Sequence, residues 1–135
     1  MEACVMERAI RVIVAGPRTF NDYKLLAETL DTYLPTLYTH LSDVQIVSGG
    51  ARGADWLGEL YATRNGIYLH VKPADWNRYG KGAGFIRNKQ MADYATHCLC
   101  FQSSTDPTKG TQHMIDTANK ALRAGTIKEV VVVLF

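Results

Sequence analysis

Long hydrophobic runs are missing from this sequence. Nothing in it approaches the roughly 18 consecutive apolar residues that a membrane span requires, so no membrane partner is expected. A leader is not expected either, because Glu2 and Glu7 sit in the opening MEACVMERAIRVIVAG, where a secretory signal is basic and then apolar. An excess of one charge is missing too. Fifteen lysines and arginines against thirteen aspartates and glutamates leave a formal net charge of +2. That is too little to argue for a nucleic-acid partner, and it suits a small anionic ligand as well.

Cysteine is scarce, and the count of three is odd. Cys98 and Cys100 are two apart in an apolar run, which puts them on one face of a strand, while Cys4 lies far away. The set has neither the spacing of a zinc site nor the even number of a disulfide framework. Buried free thiols in a cytoplasmic protein are the expectation, with no metal and no cofactor.

What is present is an ordinary globular composition, 47% hydrophobic and 21% charged over 135 residues. That length predicts one domain over residues 1–135, with its core from about residue 10 onward. Five apolar, β-branched runs fall at 11–15 (RVIVA), 44–48 (VQIVS), 67–71 (IYLHV), 97–101 (HCLCF) and 129–134 (EVVVVL). Continuous hydrophobicity at that length predicts strands covered on both faces.

Helical spacing separates the runs. Leu25, Leu26, Leu30 and Leu34 form a stripe after Asn21 and Asp22, either of which suits a cap. Residues 53–65, 83–94 and 110–124 read as further helices, the last stopping at Gly125. Alternating strands and helices predict an α/β fold, a Rossmann-like three-layer sandwich around a mostly parallel five-stranded sheet in the order 3-2-1-4-5. In that order a crevice opens at the carboxyl ends of strands one and four.

Four segments reach that edge: AGPRTFND, GGARGAD, KPADWNRYGKGAG and QSSTDPTKGT. In the second, Ser48, Gly49, Gly50, Arg52, Gly53 and Asp55 span a strand-turn-helix whose backbone amides suit an anion. A plain tight turn is the competing reading, and neither GxGxxG nor GxxxxGK[ST] is present. Asp55 suits a ligand hydroxyl, or simply the positive end of the helix.

In the first segment, Gly16, Arg18, Thr19 and Phe20 are candidates. The arginine fork fits phosphate, and Phe20 reads either as core or as a stacking ring. Trp76, Tyr79 and Gly80 stand among glycines and cations, as a platform for a flat ring or as a loop anchor. Arg87 and Asn88 open the third helix, and Lys109, Gly110 and Thr111 start the fourth, a second candidate anion site. His113 is a possible acid or base, against the commoner structural histidine.

Taken in order, GxRxF at 16–20, SGGARGAD at 48–55, PADWxxYGKxAGxxRNxxM at 73–91 and KGT at 109–111 closely resemble the YspA-like, cpYpsA-related branch of the SLOG superfamily. That superfamily also holds DprA (Smf) and the LOG phosphoribohydrolases. The resemblance implies a nucleotide-binding domain with the glycine motif near the phosphate, and a homodimer or higher homo-oligomer with the third helix near the contact.

LOG enzymes cleave the N-glycosidic bond of nucleoside monophosphates, using an arginine in RxxxM and a glutamate in PGGxGTxxE. Arg87 matches that arginine and Met91 that methionine, whereas the glutamate position is Met114 and the PGG is absent. A methionine is neither acid nor base. The implied function is therefore to bind, and not to cleave, a nucleotide-derived ligand: an ADP-ribose derivative, cyclic nucleotide or nucleoside monophosphate. The setting implied is that of a sensor or sequestering protein in a bacterial or phage context. The alternative is a nucleotide N-glycosidase using Arg87 with Asp55, His113 or Asp116 in place of the glutamate. DNA binding as in DprA is the weakest of the three.

Overall fold

The apolar runs become strands, but only the three central ones, 10–15, 44–48 and 97–102, are covered on both faces; the edge runs at 68–71 and 129–134 stay partly exposed because each has a neighbour on one side only. In a computed structural model that describes residues 9–135, β1 (Ile10–Ala15), β2 (Val44–Ser48), β3 (Tyr68–Val71), β4 (His97–Gln102) and β5 (Glu129–Leu134) form one sheet. Its order is β3-β2-β1-β4-β5, and all four neighbouring pairs are parallel. Glu2, Cys4 and Glu7 lie outside the described residues. The helices are α1 (Tyr23–Tyr33), α2 (Ala54–Arg64), α3 (Trp76–Tyr79), α4 (Ala83–Tyr94) and α5 (Lys109–Ala124).

Period-two alternation sorts the strand residues into two cores. Val12 and Val14 of β1 pack with Leu26 and Leu30 of α1 and with Leu57 and Tyr61 of α2. Ile13 and Ala15 face the other way, toward Met91 of α4 and Met114, Ile115 and Ala118 of α5. The result is helix, sheet, helix. Cys98 and Cys100 share the second face, buried, with their sulfurs 3.5 Å apart. The hydrogen bond to Cys98, together with burial, raises the Cys100 pKa and keeps it a thiol.

Local chemistry sets the helix ends. Of the two candidate caps for α1, Asp22 is the one used, its carboxylate accepting from the Leu25 amide at 3.0 Å. Thr108 caps α5 through the Thr111 amide at 3.3 Å. Gly125, at φ 88°, closes α5, and the Thr126 amide reaches back to the Ala121 carbonyl at 3.0 Å.

Two elements differ from expectation. Ile67 is not part of β3, because its amide bonds the Ala62 carbonyl at 2.9 Å and so finishes α2. Residues 76–82, read as loop, form α3 and a 3-10 turn, Gly80–Gly82, since Asp75 accepts from the Arg78 amide at 3.1 Å. Among the described residues, no helix is long and apolar enough to cross a membrane.

β1 lies between β2 and β4, so the chain winds outward in both directions from it. The two helix layers therefore part above the carboxyl ends of β1 and β4.

Candidate functional site

Arg87, in the second turn of α4, points back across the sheet edge. Its Nη1 donates to the carbonyl oxygen of Gly49, and its Nε donates to Asn88 Oδ1 at 3.1 Å. Gly49 admits this contact because it has no side chain. A Cβ there would stand 2.8 Å from Arg87 Cζ and 2.7 Å from Asp55 Oδ2. A guanidinium and a carboxylate thus close on one glycine from two helices.

Asp55, 5% exposed, accepts from the Ala51 amide through Oδ2 at 3.2 Å. Burial pushes its carboxyl up to about 6, with Arg87 and the Ala51 amide opposing. At neutral pH it remains mostly ionised. Burial also lowers the pKa of Arg87, and Asp55 opposes that shift.

The rest of the turn is tied internally. Ser48 is fully buried; its hydroxyl accepts from the Gly50 amide at 3.0 Å and donates to Glu59 Oε2 at 2.6 Å. Gly53 has φ 78°, and a Cβ on it would lie 2.6 Å from the carbonyl carbon of Arg18 and strike the Pro17 carbonyl. The Ala54 amide donates to that same Pro17 carbonyl at 3.4 Å. The loops after β1 and β2 therefore touch at Gly53. The amides of Gly50 and Ala51 have partners inside the turn, and the absent side chains at Gly49 and Gly53 make room for Arg87, Asp55 and the loop after β1.

Above this turn is a cleft of about 370 Å³, with walls from all four loops at the sheet edge. It brings together Gly16, Arg18, Thr19, Asp55, Trp76, Arg87, Asn88, Gly110 and Thr111 from the expected set. Ser48, Gly49, Gly50 and Gly53 support it without lining it. Arg52 and Lys109 are exposed and outside the wall, and Tyr79 and Gly80 lie in the exposed turn beyond Trp76. Phe20 is core: 3% exposed, its ring stacks on Phe101 at 4.8 Å and meets Phe135 edge-on. The apolar layer under β1 and β4 claims that ring, so it does not face the cleft.

The acid-base candidates separate clearly. His113 lies flat against Phe85, with ring centroids 4.0 Å apart, and its Nδ1 is 3.1 Å from Asn88 Nδ2. Burial lowers its pKa. Asp116 is exposed and accepts from Gln112 at 2.9 Å. Neither residue lines the cleft, while Met114, 2% exposed, does. Asp55 is the only carboxylate among the lining residues, against three cations, Arg18, Lys81 and Arg87.

Lys81, Phe85 and Thr108 also line the cleft but were not singled out from the sequence. Phe85 had a signal: it is three residues before Asn88, one helical turn, so both share a face of α4. Trp76 and Phe85 are each 49% exposed, two aromatic surfaces open to a ligand. No group of three or more His, Cys, Asp or Glu among the described residues is placed to hold a metal. The arrangement can hold an anion beside a flat ring.

A family model described as the YspA, cpYpsA-related SLOG family matches residues 10–79. Gene 61 protein of Mycobacterium phage D29 is 32% identical over 117 residues, covering 82% of this chain and 90% of that protein. The X-ray structure of DNA processing protein A (DprA) from Streptococcus pneumoniae matches with a TM-score of 0.50 and 14% identity. That match covers 98% of this chain but 60% of the DprA chain, and it is a likeness of fold.

Proposed function

Because the chain belongs to the YspA, cpYpsA-related SLOG family, we propose that its cleft binds a small nucleotide-derived ligand and holds it without cleaving it. The observation that carries this reading is the make-up of the wall: three cations and two exposed aromatic rings, with Met114 at the position where the LOG pattern has its glutamate. Phosphate goes to Arg18, Lys81 and Arg87, beside Gly110 and Thr111 at the positive end of α5. The base stacks on Trp76 and Phe85.

The ligand class is an ADP-ribose derivative, a cyclic nucleotide or a nucleoside monophosphate. The role is to sense or sequester such a signal, and the relative from a mycobacteriophage supports a phage setting. A homodimer with α4 near the contact, where Ile86 is 36% exposed, belongs to the same proposal and is read by light scattering. DNA binding has little support, since the net charge is only +2 and the DprA likeness is one of fold.

A second reading rests on Asp55. As the one carboxylate in the wall, raised to about 6, it has the properties of a general acid or base for N-glycosidic hydrolysis. Calorimetry with AMP, ADP-ribose, NAD and cyclic adenylates, with chromatography of the same samples, tests both readings. Saturable binding that Arg87→Ala weakens, with no free base, is the expected result. Release of base over many turnovers would establish the second reading.

A further inference from the structure

Asp55 is an odd member of a cationic cleft. An ionised carboxylate has about four lone-pair positions. Among the described residues one donor bonds to it, the Ala51 amide at 3.2 Å. Arg87 turns two of its N–H groups elsewhere, Nη1 to Gly49 and Nε to Asn88, and forms no hydrogen bond to Asp55, while the Gly50 amide goes to Ser48. A ligand that fills the cleft and expels its water must bring donors to this carboxylate or leave it unsatisfied, which is costly for a buried charge.

A phosphate cannot supply them, because it would add a like charge next to Asp55. A nucleotide carries neutral donors on its base and on its sugar. The base belongs at the open end, where Trp76 and Phe85 are each 49% exposed, whereas Asp55 is 5% exposed and sits beside Arg87. The sugar, between base and phosphate, is the part that reaches the depth of Asp55. Two adjacent hydroxyls can both donate to one carboxylate.

We propose that Asp55 selects ligands with a free ribose diol, which makes the cleft a site for ribonucleotides and not for their deoxy counterparts. This rests on the reading of the cleft as a nucleotide-derived ligand site. A hydrogen bond to a charged acceptor corresponds to about tenfold or more in affinity. AMP and ADP-ribose should therefore bind at least about tenfold more tightly than 2′-deoxy-AMP and 3′-deoxy-AMP.

Asp55→Asn keeps an acceptor oxygen for the Ala51 amide. It should shrink the ribose preference to less than about threefold, leaving the deoxy ligands bound as well as before or better. The ratio is the readout, because a purely structural role would weaken both ligand types together. The experiment is calorimetry of both proteins against the four compounds, with melting curves to confirm that the variant folds. Equal binding of ribo and deoxy forms by the natural protein would overturn this inference and leave the binding proposal intact. So would a preference that survives Asp55→Asn, or one set by the base instead of the sugar. Failure of all four compounds to bind would overturn this inference, and failure of NAD and cyclic adenylates as well would overturn the binding proposal.

Discussion

Arg87 and Gly49, 38 residues apart in the chain, are joined by a hydrogen bond from the guanidinium Nη1 to the carbonyl oxygen. It ties the turn after β2 to α4 across the mouth of the crevice. The arginine thereby has two tasks, shaping the turn and presenting positive charge to the cleft, and they can be separated by experiment.

Arg87→Lys retains the charge but loses the planar fork that bonds Gly49 and Asn88 together. Affinity for AMP or ADP-ribose should fall by about tenfold, and Arg87→Ala should lower it further, by about a hundredfold. Calorimetry on the three proteins checks the ranking. Equal affinity for all three would mean that the guanidinium does not meet the ligand.

Gly49→Ala and Gly53→Ala should fail in different ways. At Gly49 the new methyl meets the ends of two side chains, Arg87 and Asp55, which can move. The protein should lose only about 1 kcal/mol of stability while binding falls at least about tenfold. At Gly53 the methyl meets the backbone of Pro17 and Arg18 at a residue with φ 78°. That change should cost about 2 kcal/mol or more in urea unfolding, because the strain adds to the collision.

These glycines also mark how far the sequence was legible. The strands and both helix layers follow from the spacing of apolar runs, since a parallel sheet buries both faces of β1 and β4, whereas the strand order comes from the usual arrangement of such folds and agrees with the structure. Nine candidate residues meet in the cleft because their loops share that edge. The reason for the glycines was not legible. A missing Cβ shows only that something comes close, and here it is Arg87, Asp55 and the loop after β1. Phe20 was open for a related reason, since a ring beside a Gly-Pro turn has a core reading and a stacking reading until Phe101 and Phe135 are placed around it and the core reading holds. Lys81 and Phe85 became members of the site only once α4 had a direction.

The pH dependence of stability should carry a trace of Asp55. Its carboxyl rises from an ordinary 3.8 to about 6 in the folded protein, so between those values the folded state binds the proton more tightly than the unfolded state. Stability is then lost as pH climbs through that window, by up to about 3 kcal/mol from this group. Urea unfolding at pH 4 and pH 7 should show the natural protein losing ground to Asp55→Asn on going to the higher pH. A difference that stays constant would place the carboxyl in water.

Trp76→Ala and Phe85→Ala each remove a half-exposed ring from the cleft. Each should weaken binding of a base-containing ligand about tenfold, in line with a stacking contribution of about 1–3 kcal/mol, and leave binding of ribose 5-phosphate alone. Titrating both ligands separates a stacking surface from a general loss of shape.

The most direct measurement of the central claim is a mass balance. The protein is incubated with AMP, ADP-ribose, NAD and cyclic adenylates and filtered, and then denatured so that what it held is counted. The account predicts one of these ligands recovered intact from the protein, near one per chain, with none of its base set free. Free base or ribose phosphate accumulating beyond one equivalent would contradict it and make Asp55 the residue to mutate next.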